Sequence, residues 1–173
     1  MDGFIRDVVT LECRSRDAVG HGVKELLLCP DGVVKSKNGT FVMDDAAAGS
    51  IIGEFKSHGV DVVVDIDHAT LQTDKPAPAA GWIKDLFYQP GRGLLALVLW
   101  NDRAREMIRA GEYAYISPVL MVRKSDRRAV SLHSAAVTNK PAIPAMERVA
   151  ASARAEEDDP GEIPTPEDWI QKI

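Results

Sequence analysis

The chain is short of cysteine, of long apolar runs and of concentrated basic charge, and each shortage narrows what it can be. It has two cysteines in 173 residues, Cys13 and Cys29, both in apolar, strand-like surroundings. A disulfide framework or a thiolate metal site asks for more, so both read as buried free thiols and a reducing, cytosolic compartment is expected. No stretch reaches the roughly 18 apolar residues of a spanning helix, which sets a membrane role aside. The opening residues, Met1-Asp-Gly-Phe-Ile-Arg-Asp7, hold neither the basic segment nor the apolar core of a secretory signal. No internal repeat is visible. From Arg154 onward seven acidic residues face only Arg154 and Lys172, which accounts for the whole net charge of −5 and leaves residues 1–153 balanced. Without a basic field there is nothing to hold nucleic acid.

What is present is enough for one packed core: 173 residues with 45% hydrophobic content. The expected organisation is one domain over 1–153 and an acidic, proline-containing tail or linker over 154–173. Strands are predicted over 7–12, 23–29, 40–43, 60–66, 80–88, 94–100, 113–123 and 129–138. The turn Gln89-Pro-Gly-Arg-Gly93 is the strongest hairpin signal, and Ser125-Asp-Arg-Arg128 joins the last two strands. Asp44 and Asn101 cap helices that run to His58 and Ala110 and stop at Gly59 and Gly111; a third helix is predicted over 145–154. The class is therefore α+β, a mainly antiparallel sheet or barrel with peripheral helices.

Three segments carry side chains with chemistry. Tyr113-Ala-Tyr-Ile-Ser-Pro-Val-Leu120 sets Ser117 within an apolar strand. Val62-Val-Val-Asp-Ile-Asp-His68 is a buried strand ending on a histidine. Ser131-Leu-His-Ser-Ala-Ala-Val-Thr-Asn139 has His133 at its centre. A serine hydroxyl is a poor nucleophile until a base takes its proton, and imidazole suits that task near neutral pH. His68 is placed to be that base. Its other nitrogen needs an orienting partner, for which His133, Asp65 and Asp67 all qualify. By strand alternation Ser131, His133, Ala135 and Val137 share a face, so pairing of the last two strands would bring Ser117 and His133 to neighbouring positions. Asp65, Asp67 and His68 also read as a metal-ligand fragment for a hydrolase, but His21 and His58 add no further ligand at readable spacing. Serine in a strand is most often structural, so spacing alone carries little.

Five blocks in fixed order add to this. Asp65-Ile-Asp-His-Ala-Thr-Leu71, Ala77-Pro-Ala-Ala-Gly-Trp-Ile83, Gly93-Leu-Leu-Ala96, Gly111-Glu-Tyr-Ala-Tyr-Ile-Ser-Pro-Val119 and Leu132-His-Ser-Ala-Ala-Val-Thr-Asn-Lys-Pro-Ala142 together resemble the Mu-like phage protease/scaffold family, the prophage I protein proteases. That family is similar in turn to tailed-phage prohead proteases and herpesvirus assemblins. The resemblance covers residues 20–150 and implies a small β-barrel of about seven strands surrounded by helices. It implies a serine endopeptidase with Ser117 as nucleophile, His68 as base and His133 as third member, and no cofactor or metal. A second imidazole would stabilise the imidazolium less than a carboxylate and make a slow enzyme. The implied partners are the scaffold and major capsid protein of a phage procapsid, with self-association and self-cleavage, inside the procapsid in the host bacterial cytoplasm. The rival is a non-catalytic scaffold or assembly protein on the same fold. One departure stands out. Pro118 follows the nucleophile where many prohead proteases carry glycine, so oxyanion donors must come from elsewhere, the Arg123–Arg128 loop or water. The family usually continues into a scaffold segment, so the chain reads as a protease domain cut from a longer precursor or a form released by its own cleavage, with Val149-Ala-Ala-Ser-Ala-Arg154 as a candidate cleavage zone.

Overall fold

The computed structural model describes residues 23–149. The predicted strand over 7–12, Cys13, the acidic tail and the domain boundary at 153 lie outside them. The described elements are β1 (Val23–Pro30), β2 (Gly32–Ser36), β3 (Gly39–Met43), α1 (Asp45–His58), β4 (Val62–Ile66), β5 (Gly81–Gln89), β6 (Gly93–Trp100), α2 (Asp102–Arg109), β7 (Tyr115–Val122) and β8 (Ala129–Thr138), with one 3₁₀ turn at Ala69–Leu71.

Local chemistry sets most of these boundaries. The Asp44 carboxylate accepts from Ala47 N–H at 2.9 Å and starts α1, and Gly59, at φ 67°, ends it in the left-handed region. Asn101 does the same for α2 through Ala104 N–H at 2.8 Å. Between β5 and β6, Arg92 N–H donates to Gln89 carbonyl at 3.0 Å, with Pro90 and then Gly91 at φ 80° in the middle, the residue order of a type II turn.

Six strands form one sheet in the order β1-β6-β5-β4-β8-β7, antiparallel except for the parallel pair β4–β8; β2 and β3 make a separate hairpin. The apolar run of β6 is buried on both faces between β1 and β5. Helix α1 packs on β8 and β5 through Ala47, Ala48 and Ile51. The core joins these to Leu28, Val64, Ile83, Leu94, Val98, Ile116 and Val137.

Three expectations need correction. The sheet is α+β and mainly antiparallel as read, but it is not a closed barrel of about seven strands. It curls into a half-barrel whose edges, β1 and β7, approach without pairing. Strand β2 was not predicted, because Pro30-Asp31-Gly32 reads as a stop; Gly32, at φ 92°, instead turns a corner and the chain pairs at once with β3. The predicted third helix fails over 145–148, where Ala145 is left-handed at φ 58°; only Val149 is helical, and the rest lies outside the described residues.

The hairpin is clasped to the sheet by the β7–β8 turn. Val42 N–H donates to Arg127 carbonyl at 2.8 Å, the Arg127 guanidinium donates twice to Thr40 carbonyl, at 3.1 and 2.9 Å, and Arg128 pairs with Asp44 at 2.8 Å. The Arg128 hydrogen bond, and then that of Ala47 N–H, hold the Asp44 carboxyl below its ordinary value. A depressed acid stabilises the fold above its unfolded value and loses that contribution as pH falls through the folded one. Asp44→Asn keeps the helix cap but drops the charge, and both partners are about a third exposed. It should lower stability by about 0.5–1 kcal/mol at pH 7. The gap to wild type should close in urea melts as pH falls below the ordinary carboxylate range, through the depressed folded value.

Glycine gives a second check. A Cβ on Gly93, at φ 129°, would lie 2.1 Å from the Cys29 carbonyl oxygen, whereas one on Gly53 meets nothing within 4 Å. Gly93→Ala should cost about 2–5 kcal/mol from strain and clash. Gly53→Ala, inside α1, should add about 0.5–1 kcal/mol. Urea midpoints at constant slope read both.

Candidate active site

Strand β4 leaves the sheet abruptly. Asp67 N–H still donates to Val137 carbonyl at 3.0 Å, but Asp67 and His68 are both left-handed, at φ 50° and 58°. Two such residues in succession cost about 1–3 kcal/mol each and persist where the surroundings impose them; Asp and His are among the side chains that tolerate the region. The chain then makes its 3₁₀ turn, and Thr70 N–H donates back to Asp65 Oδ2 at 2.7 Å. This return places the half-buried His68 on the wall of a cavity that Ser117 of β7 also lines.

The β7–β8 register places Ala136 opposite Ser117, and the β4–β8 register places Asp65 opposite Ala136. Partners in register point the same way, so Ser117, Ala136 and Asp65 form one row on one face across three strands. The alternate rows, Pro118–Ala135–Val64 and Ile116–Val137–Ile66, point to the other face. The Ser117 row is buried too, with Ser117 1% and Asp65 0% exposed.

Ser117 Oγ accepts a hydrogen bond from Ala142 N–H at 3.4 Å, and Ala142 carbonyl accepts from Lys37 N–H, in the β2–β3 turn, at 2.9 Å. The hairpin thus holds a backbone donor beside the serine. Ser117, His68, Ala142 and Arg127 line a single cavity of about 400 Å³, whose apolar walls include Phe41, Leu71, Leu120 and Ile143. The hydroxyl and the imidazole share this space without a direct hydrogen bond; in unliganded sites such bonds are often long and tighten when substrate binds.

The structure therefore brings Ser117 and His68 together and sets His133 apart. The β7–β8 ladder shifts register between Val119 and Leu120, leaving His133 as the extra residue of a β-bulge. The bulge breaks the alternation expected along β8. The His133 imidazole is exposed, lies outside the cavity walls, and has Nδ1 3.0 Å from Ser134 Oγ. Asp67 faces a second, polar cavity of about 630 Å³ with Glu112, Thr138 and Lys140, and its Oδ2 accepts from Tyr113 hydroxyl at 3.3 Å. Burial first, and then the Asp67 charge, push the Tyr113 hydroxyl up. Among the described residues no three His, Cys, Asp or Glu side chains converge so as to hold a metal ion, Asp65, Asp67 and His68 included, and no helix is long and apolar enough to cross a membrane.

Sequence reasoning missed Ala142 as a donor. A backbone N–H has no side-chain signature, and the sequence around Ala142 shows only Pro141, three residues past the end of β8.

A family model described as the Mu-like prophage I protein, N-terminal domain, matches residues 26–150. Protease I of Escherichia phage Mu is 29% identical over 127 residues, which cover 69% of this chain and 35% of that protein. The Mu-like prophage FluMu I protein of Haemophilus influenzae is 29% identical over 160 residues, 83% of this chain and 43% of that protein. The chain thus spans less than half the length of the curated relatives it matches. No solved structure matches it. With most of its described residues inside that match, the chain belongs to the family of the Mu-like prophage I protein N-terminal domain.

Proposed function

We propose that this chain is a serine endopeptidase that matures a phage procapsid, cleaving scaffold, itself and capsid protein inside the assembling shell in the host cytoplasm. The observation that carries the reading is the meeting, in one cavity, of the Ser117 hydroxyl, the His68 imidazole and the Ala142 N–H, in a chain whose relative is named Protease I.

The chemistry follows from those three groups. His68 takes the Ser117 proton as Oγ attacks the scissile carbonyl carbon, forming a tetrahedral intermediate. The imidazolium protonates the amine as the C–N bond breaks, which leaves the acyl-enzyme, and water, deprotonated by the same imidazole, then releases the acyl group. Charge develops on the carbonyl oxygen as the tetrahedral intermediate forms. A fixed N–H is the group needed there. Ala142 is the donor we place there, since Pro118 has no N–H to give. The apolar cavity walls suit apolar side chains next to the cleaved bond.

The burial of Ser117 to 1% favours the rival, a non-catalytic assembly protein on the same fold. The two readings part on processing. Co-expressed with a scaffold-containing precursor and read by intact mass, the wild-type chain should cut it. Ser117→Ala and His68→Ala should each abolish cutting, a loss of at least about 10³-fold. Cutting that survives Ser117→Ala would overturn the nucleophile, and an intact precursor with wild type in assembled particles would favour the rival.

Ala142→Pro deletes the N–H while leaving Ser117 and His68 in place. The initial cleavage rate should fall by about 10²–10³-fold. A rate within threefold of wild type would remove Ala142 from the mechanism.

A further inference from the structure

We propose that the Asp65 carboxylate is the positioning residue that holds the His68 imidazole in its working tautomer. The inference rests on the serine-peptidase reading of Ser117 and His68 and supplies its third member.

Burial gives the first reason. Asp65 is wholly buried on β4, and a carboxylate is costly to bury unless both oxygens are satisfied. Oδ2 accepts from Thr70 N–H, but Oδ1 is buried without a partner among the described residues. His68 Nδ1, three residues further along the chain, just past the end of β4, is buried and unpartnered as well. One is an acceptor, and the other becomes a donor when it carries the imidazole proton, so a bond between them satisfies both. The Thr70 hydroxyl, the third such atom in this stretch, can donate to the same carboxylate.

The sheet register gives the second reason. Ser117 and Asp65 flank Ala136 in one row, so their Cα atoms stand about two strand spacings, roughly 10 Å, apart. Only a methyl group lies between them. An imidazole with a hydrogen bond at each end fills such a gap, and the loop carrying His68 is bonded back onto this row through Thr70.

Elimination gives the third. The Asp67 carboxylate is taken by the Tyr113 hydroxyl and faces the second cavity, and the His133 imidazole is exposed beside Ser134. With Asp65 accepting from Nδ1–H, Nε2 is left bare towards Ser117. The proton leaving Oγ lands there, and the imidazolium is stabilised by a full negative charge rather than by a second neutral ring. On this assignment the enzyme has no built-in reason to be slow.

The test uses the whole 173-residue chain with ¹⁵N-histidine, His68 being assigned by its loss in His68→Gln. At about pH 8, where imidazole is neutral, wild-type His68 should carry its proton on Nδ1, and in Asp65→Asn the proton should move to Nε2. In parallel, a fluorophosphonate should label Ser117 about 10³–10⁴-fold more slowly in Asp65→Asn, with partial rescue in Asp65→Glu. A wild-type proton on Nε2, an unchanged tautomer in Asp65→Asn, or labelling within threefold of wild type overturns the proposal. So does a tautomer that responds to His133→Ala and not to Asp65→Asn. If wild-type Ser117 is never labelled, the serine-peptidase reading falls, while the tautomer still decides the part of Asp65. If Asp65→Asn does not fold, the wild-type tautomer decides alone.

Discussion

The parallel seam between β4 and β8 carries the molecule. It is the one parallel ladder in the six-stranded sheet, only three residue pairs long, with Asp67 N–H adding a last bond to Val137. Without it the sheet falls into two antiparallel pieces, β1-β6-β5-β4 and β8-β7. Tight turns close antiparallel pairs, but a parallel pair is joined only after a long excursion. Here that excursion runs through β5, β6, α2 and β7. The loop entropy has to be met before the seam contributes anything. Helix α1 supplies part of the compensation by packing on both β5 and β8, straddling β4.

The same seam gathers the polar interior. The buried polar or charged side chains of the described residues are Asp65, Ser117, Ser134 and Thr138, all on β4, β7 or β8. Polar groups concentrated where two half-sheets meet, next to two left-handed residues in succession, are the kind of local inconsistency that accompanies a working site. The β2–β3 hairpin completes that site from outside the sheet, through Lys37 and Ala142 on one side and Arg127 and Thr40 on the other.

Much of the fold was legible because it is written in short-range chemistry. Asp44 and Asn101 announce helix starts, Gly59 a helix stop, the apolar run ending at Ile66 a buried strand, and Pro90-Gly91 a hairpin turn. What escaped depends on contacts far apart in sequence or on backbone shape. Whether β1 and β7 pair is a matter of sheet curvature, so an open half-barrel and a closed barrel share one pattern. The bulge at His133 leaves no mark on the residue types, yet it undoes the alternation on which the expected Ser117–His133 approach rested. Gly32 looks like an ending and acts as a corner. For the site, Ser117 and His68 could be picked out as side chains, whereas the Ala142 donor and the row through Ala136 exist only once register is known.

Pro118 has a further consequence. A sheet tolerates proline at its edges, and β7 is an edge strand with the proline near its middle, one residue past Ser117. An exposed edge is a row of donors and acceptors onto which another copy of the chain can zip, and that hazard grows with crowding. Proline removes a donor from the row, and the bulges beyond it twist the remainder. The residue that departs from the family pattern beside Ser117 thus makes the edge bearing that serine a poorer template for chain-to-chain strand pairing.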